Sequence, residues 1–385
     1  YPEEATVALL AKRLRRSARW SDTRSENMRT MTHGRGHVTE IRLGVKRDGT
    51  MTALDTNVIS DIGGVLHPIA AASVGSIMTM CPGPYRFAKA RAKATAVYTN
   101  CAPVGPYRGA GRPEATYALE RAVDAAARAI GMDRVELRRK NLLNADEFPY
   151  TTQTGPVYDS GDYHKALDLA LKEVDYDHWK AEQERLRSEG RYIGIGVTTF
   201  VEPAGALFWE YCELRVGRTG TVTLYTGSGP TGQGHETIYA QIVASELQIP
   251  LESIEVVHGD TAAVAMGVGS FGSRSAILGG SATLNAARSV KEKMRNLAAS
   301  MLEASVEDIE LADGRFHVAG NPSRGLTFGQ IAGASYFGMM PDPGIAARES
   351  FRMQDMAYPF GTHICISEVN PSNGEIRILR YLGVD

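Results

Sequence analysis

Apolar and polar residues alternate across residues 38 to 61, on either side of Arg47-Asp48-Gly49-Thr50, and this period of two predicts two strands joined by a hairpin turn. The pattern recurs over Cys212 to Tyr225 about a turn at Arg218-Thr219-Gly220, and over Ile364 to Tyr381 about Pro371-Ser372-Asn373-Gly374. A further strand is predicted over Ile193 to Val201. Pro113 to Ile130 is Ala-rich with apolar residues at helical spacing, a Pro in its first turn and Gly131 just beyond it, the signature of a helix. Asp133 then stands three residues before Glu136, a capping-box spacing that opens a short helix to Leu143. Helical spacing returns over Tyr163 to Glu189, Glu236 to Leu247 and Ser281 to Leu302. The repeated hairpins predict an α+β fold of two related domains of mixed sheet and helix. Asn, Asp, Pro, Thr and Gly collect over 144 to 163, so the division is placed at 1–155 and 156–385.

Composition narrows the function class. The chain has 385 residues, 43% apolar and 22% charged, enough for two domains with cores of their own. Lys and Arg number 42 against 44 Asp and Glu, and no basic block marks a nucleic-acid footprint. Cys81, Cys101, Cys212 and Cys365 are widely spaced, with no CxxC pair to hold zinc or an iron–sulfur cluster. No run approaches the roughly 18 apolar residues of a membrane span, and no signal-like segment opens the chain. A reduced, cytoplasmic protein is expected. The chain begins at Tyr1-Pro2-Glu3-Glu4 without an initiator Met and stops just after a strand-like run, so truncation at both ends is expected as well.

Three glycine-rich runs carry the candidate chemistry. Gly105-Pro106-Tyr107-Arg108-Gly109-Ala110-Gly111-Arg112-Pro113 leads into the first predicted helix, where free amides and a positive dipole end suit an anionic or oxo ligand. Its glycines allow close approach of backbone to a ligand, and its arginines add fixed charge. On the residues alone it reads equally as a tight strand-to-helix turn with solvated arginines. Thr226-Gly227-Ser228-Gly229-Pro230-Thr231-Gly232-Gln233-Gly234-His235-Glu236-Thr237 follows a strand and precedes a helix, an arrangement that cradles phosphate. It has neither the Gly-Lys-Ser/Thr of a Walker loop nor the GxGxxG spacing of a dinucleotide fingerprint. Gly267-Val268-Gly269-Ser270-Phe271-Gly272-Ser273-Arg274-Ser275 adds hydroxyls, amides and a guanidinium suited to a pyrophosphate.

These segments, PYRGAGRPEA, TGQGHET, VVHGD and GSFGSRS, stand in the order and approximate spacing of molybdenum hydroxylase large subunits. With YPEE, the HGR of His33 to Arg35 and PGPYR at 82 to 86, the resemblance covers essentially the whole chain. The chain thus resembles the molybdenum-cofactor-binding large subunit of the xanthine dehydrogenase, aldehyde oxidase and aerobic carbon monoxide dehydrogenase family. The resemblance implies two molybdopterin-binding domains and a molybdenum ion held by the dithiolene of molybdopterin, in bacteria commonly as the cytosine dinucleotide, lying between domains. It places Arg108, the catalytic candidate, with Gly109, Ala110 and Gly111 at the molybdenum centre. Gly232, Gln233, Gly234, His235 and Thr237 would hold the pterin and its phosphates, and Gly272, Ser273, Arg274 and Ser275 would complete the phosphate grip. It implies oxidation of a carbon centre with water as oxygen source, a glutamate as general base and electrons leaving through iron–sulfur clusters. The implied partners are a small two-cluster iron–sulfur subunit, a medium FAD subunit and a second large subunit. Peripheral association with the inner face of the membrane is compatible with such a complex.

Departures from the family pattern refine the expectation. The base glutamate of the family's GxGE-type motif and the glutamine of its upstream GGFG segment both lie outside this chain, so the chain alone is expected to be inactive. Aerobic carbon monoxide dehydrogenases carry AYRCSFR, whose cysteine binds copper; Gly109 stands at that position here, so copper is not expected. PYRGAGR instead looks like the form II variant AYRGAGR, and aldehydes or N-heterocycles are the favoured substrates. Residues 61 to 80 hold no Arg or Lys to anchor a purine. His258, Cys101, Met78 and Met80 read as structural rather than metal ligands. Glu202 reads either as a substrate-channel carboxylate or as a turn residue. Two other classes stay open: a noncatalytic cofactor-binding scaffold, and an unrelated glycine-loop nucleotide-binding module.

Overall fold

A computed structural model describes residues 2–205, 208–337 and 343–385. The chain folds into two compact units, one formed by Tyr1–Glu202 with Tyr358–Asp385 and the other by Pro203–Ala357.

The first unit opens with helices α1 (Pro2–Leu14) and α2 (Arg24–Thr30), the latter closed by a capping box between Thr23 and Glu26. Strands β1 (His37–Val45) and β2 (Met51–Asp61) form the expected hairpin, with Gly49 in the left-handed region at the turn. Helix α3 (Ala70–Met80) then carries the chain across to β3 (Lys89–Val97), which pairs with β2 in parallel. After the glycine-rich loop comes α4 (Arg112–Ile130), with Pro113 in its first turn and Gly131 as a left-handed cap. Its apolar stripe, Ala115, Leu119, Val123 and Ala127, is buried, and the helix packs on α3 and β1. Asp133 caps α5 (Arg134–Asn141), accepting from the amides of Val135 and Glu136. A short hairpin of β4 (Tyr150–Thr151) and β5 (Val157–Tyr158) leads to α6 (Tyr163–Val174) and α7 (Tyr176–Ser188). The helical run expected over Tyr163 to Glu189 is therefore two helices, broken where Asp175 takes φ 60°. Strand β6 (Tyr192–Val201) ends this part of the unit.

The second unit repeats the order of the first. Strands β7 (Glu210–Val216) and β8 (Val222–Thr226) form an antiparallel hairpin. Helix α8 (His235–Leu247) crosses to β9 (Ile254–Val257), which pairs with β8 in parallel. A second glycine-rich loop and a single π-helical turn, Ser275–Gly279, then open the long helix α9 (Gly280–Leu302). Hairpin, crossover helix, parallel strand, loop and long helix thus occur once in each unit. This gives physical content to two related mixed domains. The second unit adds a three-stranded sheet of β10 (Ile309–Ala312), β11 (Arg315–Val318) and β12 (Asn321–Thr327), helix α10 (Phe328–Ser335), and β13 (Ile345–Phe351), which pairs with β7. One core of Leu214, Leu224, Val243, Val290, Met294, Phe316 and Ile331 joins these elements. The hairpin β14 (Phe360–Val369) and β15 (Ile376–Val384) then rejoins the first unit, β14 pairing along the whole of β6 with Thr362 opposite Thr199. Among the described residues no helix is long and apolar enough to cross a membrane.

Candidate functional site

Two places concentrate backbone that only glycine-rich sequence adopts, and each lies where a loop enters a helix. In the first unit, Gly109, Ala110 and Gly111 take φ of 92°, 45° and 95° in succession just before α4. A Cβ on Gly111 would stand 2.1 Å from the carbonyl oxygen of Ser73 in α3, and one on Gly109 would stand 2.4 Å from the ring of Pro113. The left-handed run is thus enforced by packing on one side and opened by glycine on the other. Arg108 is exposed beside it.

Four charged residues brace this loop. Arg35 donates to the Arg108 carbonyl at 2.6 Å and to Glu114 at 3.2 Å, and Arg112 donates to the Gly109 carbonyl at 3.1 Å while its Nε stands 3.4 Å from Glu202. Burial pushes the Glu114 carboxyl upward, but His37 at 3.6 Å and Arg35 outweigh it and hold the group below the usual carboxylate range. Glu202 is different: burial pushes its carboxyl up and Arg112 only partly opposes it. Glu202 stands just past the end of β6 as an ion-paired carboxylate, a placement compatible with either reading of it.

In the second unit, the run after β8 turns through Gly232 at φ 107° and Gly234 at φ 72°, and Gly234 is the N-cap of α8 with no side-chain cap of its own. With no side-chain cap, the first-turn amides of α8 are accessible to solvent or a ligand, although that of Glu236 also faces its own carboxylate. A Cβ built on Gly232 or Gly234 would meet nothing within 4 Å, so the outer side of this loop is open. Gln233 turns its side-chain oxygen back onto the Thr231 amide, while Thr237 is exposed in the first turn of α8. His235 is buried and its Nδ1 lies 2.8 Å from the Ser228 carbonyl, tying helix to loop.

The run at 267–275 lies directly against this one. A Cβ on Gly227 would be 2.3 Å from the Cα of Gly267. Ser275 joins the two runs, its hydroxyl 2.9 Å from both Ser228 and Ser270. Gly272 and Ser273 take φ of 58° and 54° and are exposed, and the Ser273 carbonyl accepts from Gly205 at 3.2 Å. Arg274 is placed otherwise. Its side chain is 0% exposed, donates to Glu210 at 2.7 Å and to the Gly269 carbonyl at 2.5 Å, and lies 5.1 Å from the Phe271 ring. Its charge is used inside the fold to hold the loop.

Glu210 is the hub of that device. Besides Arg274 it accepts from the amides of Tyr211, Val268 and Gly269 at 3.1, 3.3 and 3.2 Å. Nothing local in the sequence marks it, because all its partners but the neighbouring Tyr211 amide lie about sixty residues on. Ser228 and Ser270 stand inside motifs singled out by sequence, yet their shared contact with Ser275 is a tertiary fact. Among the described residues no group of three or more His, Cys, Asp or Glu could hold a metal ion, and His258 instead stands 2.8 Å from Glu236.

These features suit an organic cofactor with an anionic tail. An uncapped helix N-terminus, open glycine backbone and the half-buried hydroxyls of Ser270 and Ser275, braced by the fully buried Ser228, can bind phosphate oxygens and the polar edge of a pterin.

Comparison with known proteins gives the same answer. Residues 1–142 and 169–385 each match a molybdopterin cofactor-binding domain family. The chain is 37% identical over 99% of its length to the 6-hydroxypseudooxynicotine dehydrogenase complex subunit gamma of Paenarthrobacter nicotinovorans, of which it covers 49%. It is 36% identical over 100% of its length to the carbon monoxide dehydrogenase large chain of Hydrogenophaga pseudoflava, of which it covers 50%. The crystal structure of quinoline 2-oxidoreductase from Pseudomonas putida 86 superposes with a TM-score of 0.92 at 32% identity, over 100% of this chain and 51% of that one. The chain spans about half the length of the curated relatives it matches. Paired cofactor-binding domains, a shared fold and full-length similarity establish that the chain belongs to the molybdenum-cofactor-binding large subunits of the molybdenum hydroxylases.

Proposed function

We propose that this chain binds molybdopterin cytosine dinucleotide and belongs to a copper-free cytoplasmic hydroxylase that oxidises a carbon centre of an aldehyde or N-heterocycle with water as oxygen source. The observation that carries this reading is the pair of adjoining glycine-rich runs at 226–237 and 267–275, open on the outside of Gly232 and Gly234 and joined through Ser275. In this reading the first-turn amides of α8 take phosphate, Gly232, Gln233, Gly234, His235 and Thr237 hold the pterin and its tail, and Gly272, Ser273 and Ser275 complete the grip. Arg274 serves by fixing the loop on Glu210. When bound, the cofactor supplies two-electron redox chemistry at molybdenum. Arg108, Gly109, Ala110 and Gly111 serve its metal end.

The copper-free assignment rests on Gly109. Its φ of 92° and the closeness of Pro113 leave no room for a cysteine in this loop as it stands. Two of the relatives described above carry the names of 6-hydroxypseudooxynicotine and quinoline, which favours an N-heterocycle over carbon monoxide. The complex would include a small two-cluster iron–sulfur subunit, a medium FAD subunit and a second large subunit. The experiment is to heat the complex from its native host in dilute acid, which both unfolds the protein and hydrolyses the pyrophosphate of a dinucleotide cofactor, and to chromatograph the nucleotide set free. Cytidine monophosphate is expected. Release of another nucleotide, or of none, would sink the dinucleotide assignment.

A further inference from the structure

The segment His33-Gly34-Arg35 contributes no ligand-binding residue to the reading above, yet the structure uses its arginine at the loop before α4. Arg35 holds the Arg108 carbonyl with Nη2 at 2.6 Å and Glu114 with Nη1 at 3.2 Å, and its guanidinium lies 5.1 Å from the centre of the Tyr107 ring. Gly34 is what lets this happen, since a Cβ there would stand 2.6 Å from the Cβ of Tyr107. The next carbonyl along, that of Gly109, is held in the same manner by Arg112, which pairs with Glu202. The Ala110 amide is spent on the Tyr107 carbonyl at 2.6 Å. Two successive carbonyls are thus each fixed by a guanidinium, and each guanidinium is fixed by a glutamate.

A trans peptide sets its N–H opposite its C=O. The Arg108–Gly109 bond is trans, so anchoring the Arg108 carbonyl on Arg35 points the Gly109 amide in the opposite direction within the peptide plane, away from Arg35. We propose that Arg35, braced by Glu114, is a positioning residue that aims the Gly109 amide at the oxygen- or sulfur-bearing end of the molybdenum centre. The proposal rests on the reading that Arg108 to Gly111 serve the metal end of the cofactor. A guanidinium suits the task because its planar fork reaches two acceptors in a fixed geometry, which the single ammonium of a lysine does not. Groups one step removed from a metal centre orient and tune it in this way.

The test uses the complete complex from its native host, with substitutions in the full-length large subunit. Molybdenum content is measured first, then the Mo(V) paramagnetic resonance signal after dithionite reduction, then thermal stability. Arg35→Gln is expected to keep molybdenum while shifting the Mo(V) signal, because the Gly109 amide loses its orientation. Glu114→Gln, which still offers Arg35 an acceptor oxygen, is expected to keep the unsubstituted signal, whereas Glu114→Ala shifts it. Arg91→Gln is the control, removing a comparable arginine from an exposed pair with Asp55 on β2 and β3, and leaves the signal unchanged. Should Arg35→Gln not assemble, Arg35→Lys carries the same expectation of a shifted signal. A molybdenum-loaded Arg35 variant with an unchanged signal overturns the proposal. Absence of molybdenum from the unsubstituted complex overturns instead the cofactor reading beneath it.

Discussion

Gly111 shows how tightly the loop before α4 is specified. At φ 95° with the Ser73 carbonyl 2.1 Å from where a Cβ would sit, Gly111→Ala adds a steric clash to backbone strain of about 1–3 kcal/mol. We expect the variant to show a lower midpoint of thermal unfolding and to lose molybdenum; an unchanged midpoint would mean that α3 yields freely. The need for glycine at 109 and 111 was legible from the sequence, because positive φ and close backbone approach are properties of single residues; the positive φ of Gly232 and Gly234 appears only in the structure. The roles of Glu210 and Arg35 were not. Glu210 acts through partners at 268, 269 and 274, and Arg35 through the carbonyl of residue 108, pairings that only folding creates. Arg274 read as a phosphate ligand for the same reason: its spacing shows a cation near a loop but not the carboxylate buried against it.

Each glycine-rich loop takes its shape from the elements that flank it. Removing one partner of the buried Glu210–Arg274 pair leaves a charge uncompensated, so Glu210→Ala should cost about 3–5 kcal/mol and raise hydrogen exchange across 267–275. Unchanged exchange there would show that the loop holds its form without β7. The cap of α5 offers a pH test. Burial pushes the Asp133 carboxyl upward, but Lys180 at 2.8 Å and the amides of Val135 and Glu136 outweigh it, leaving the folded value below the unfolded one. Such a group stabilises the fold above its unfolded value near pH 4, and the contribution is lost as pH falls through the folded value. Asp133→Ala should therefore cost about 1 kcal/mol at neutral pH, with the gap to the unsubstituted chain closing in acid. A gap independent of pH would assign the loss to something other than the carboxylate. Hairpins and amphipathic helices such as α4 and α9 were legible because turn residues and periodicity announce them. Helix α3 was not, since Ala70–Met80 is nearly all small or apolar and has no polar face to set a period. Strand β3 escaped as well, its Lys-Ala-Arg-Ala-Lys-Ala run offering small and charged residues where strands ordinarily show β-branched ones.

At the scale of the molecule, the same sequence of hairpin, crossover helix, parallel strand, loop and long helix is used in both units, and glycine-rich loops enter the long helix in each. The repeat of hairpins hinted at this. The return of β14 and β15 to pair with β6 could not be foreseen, because neighbouring elements in sequence are ordinarily neighbours in space and this pairing spans the whole second unit. Two molybdopterin-binding domains call for molybdenum in the complex, and the proposed copper-free site calls for no copper beside it. The most direct test is elemental analysis of the complex purified from its native host, with molybdenum and copper counted per large subunit. Molybdenum without copper is the predicted result; stoichiometric copper would contradict the argument from Gly109, and an absence of molybdenum would contradict the account at its centre.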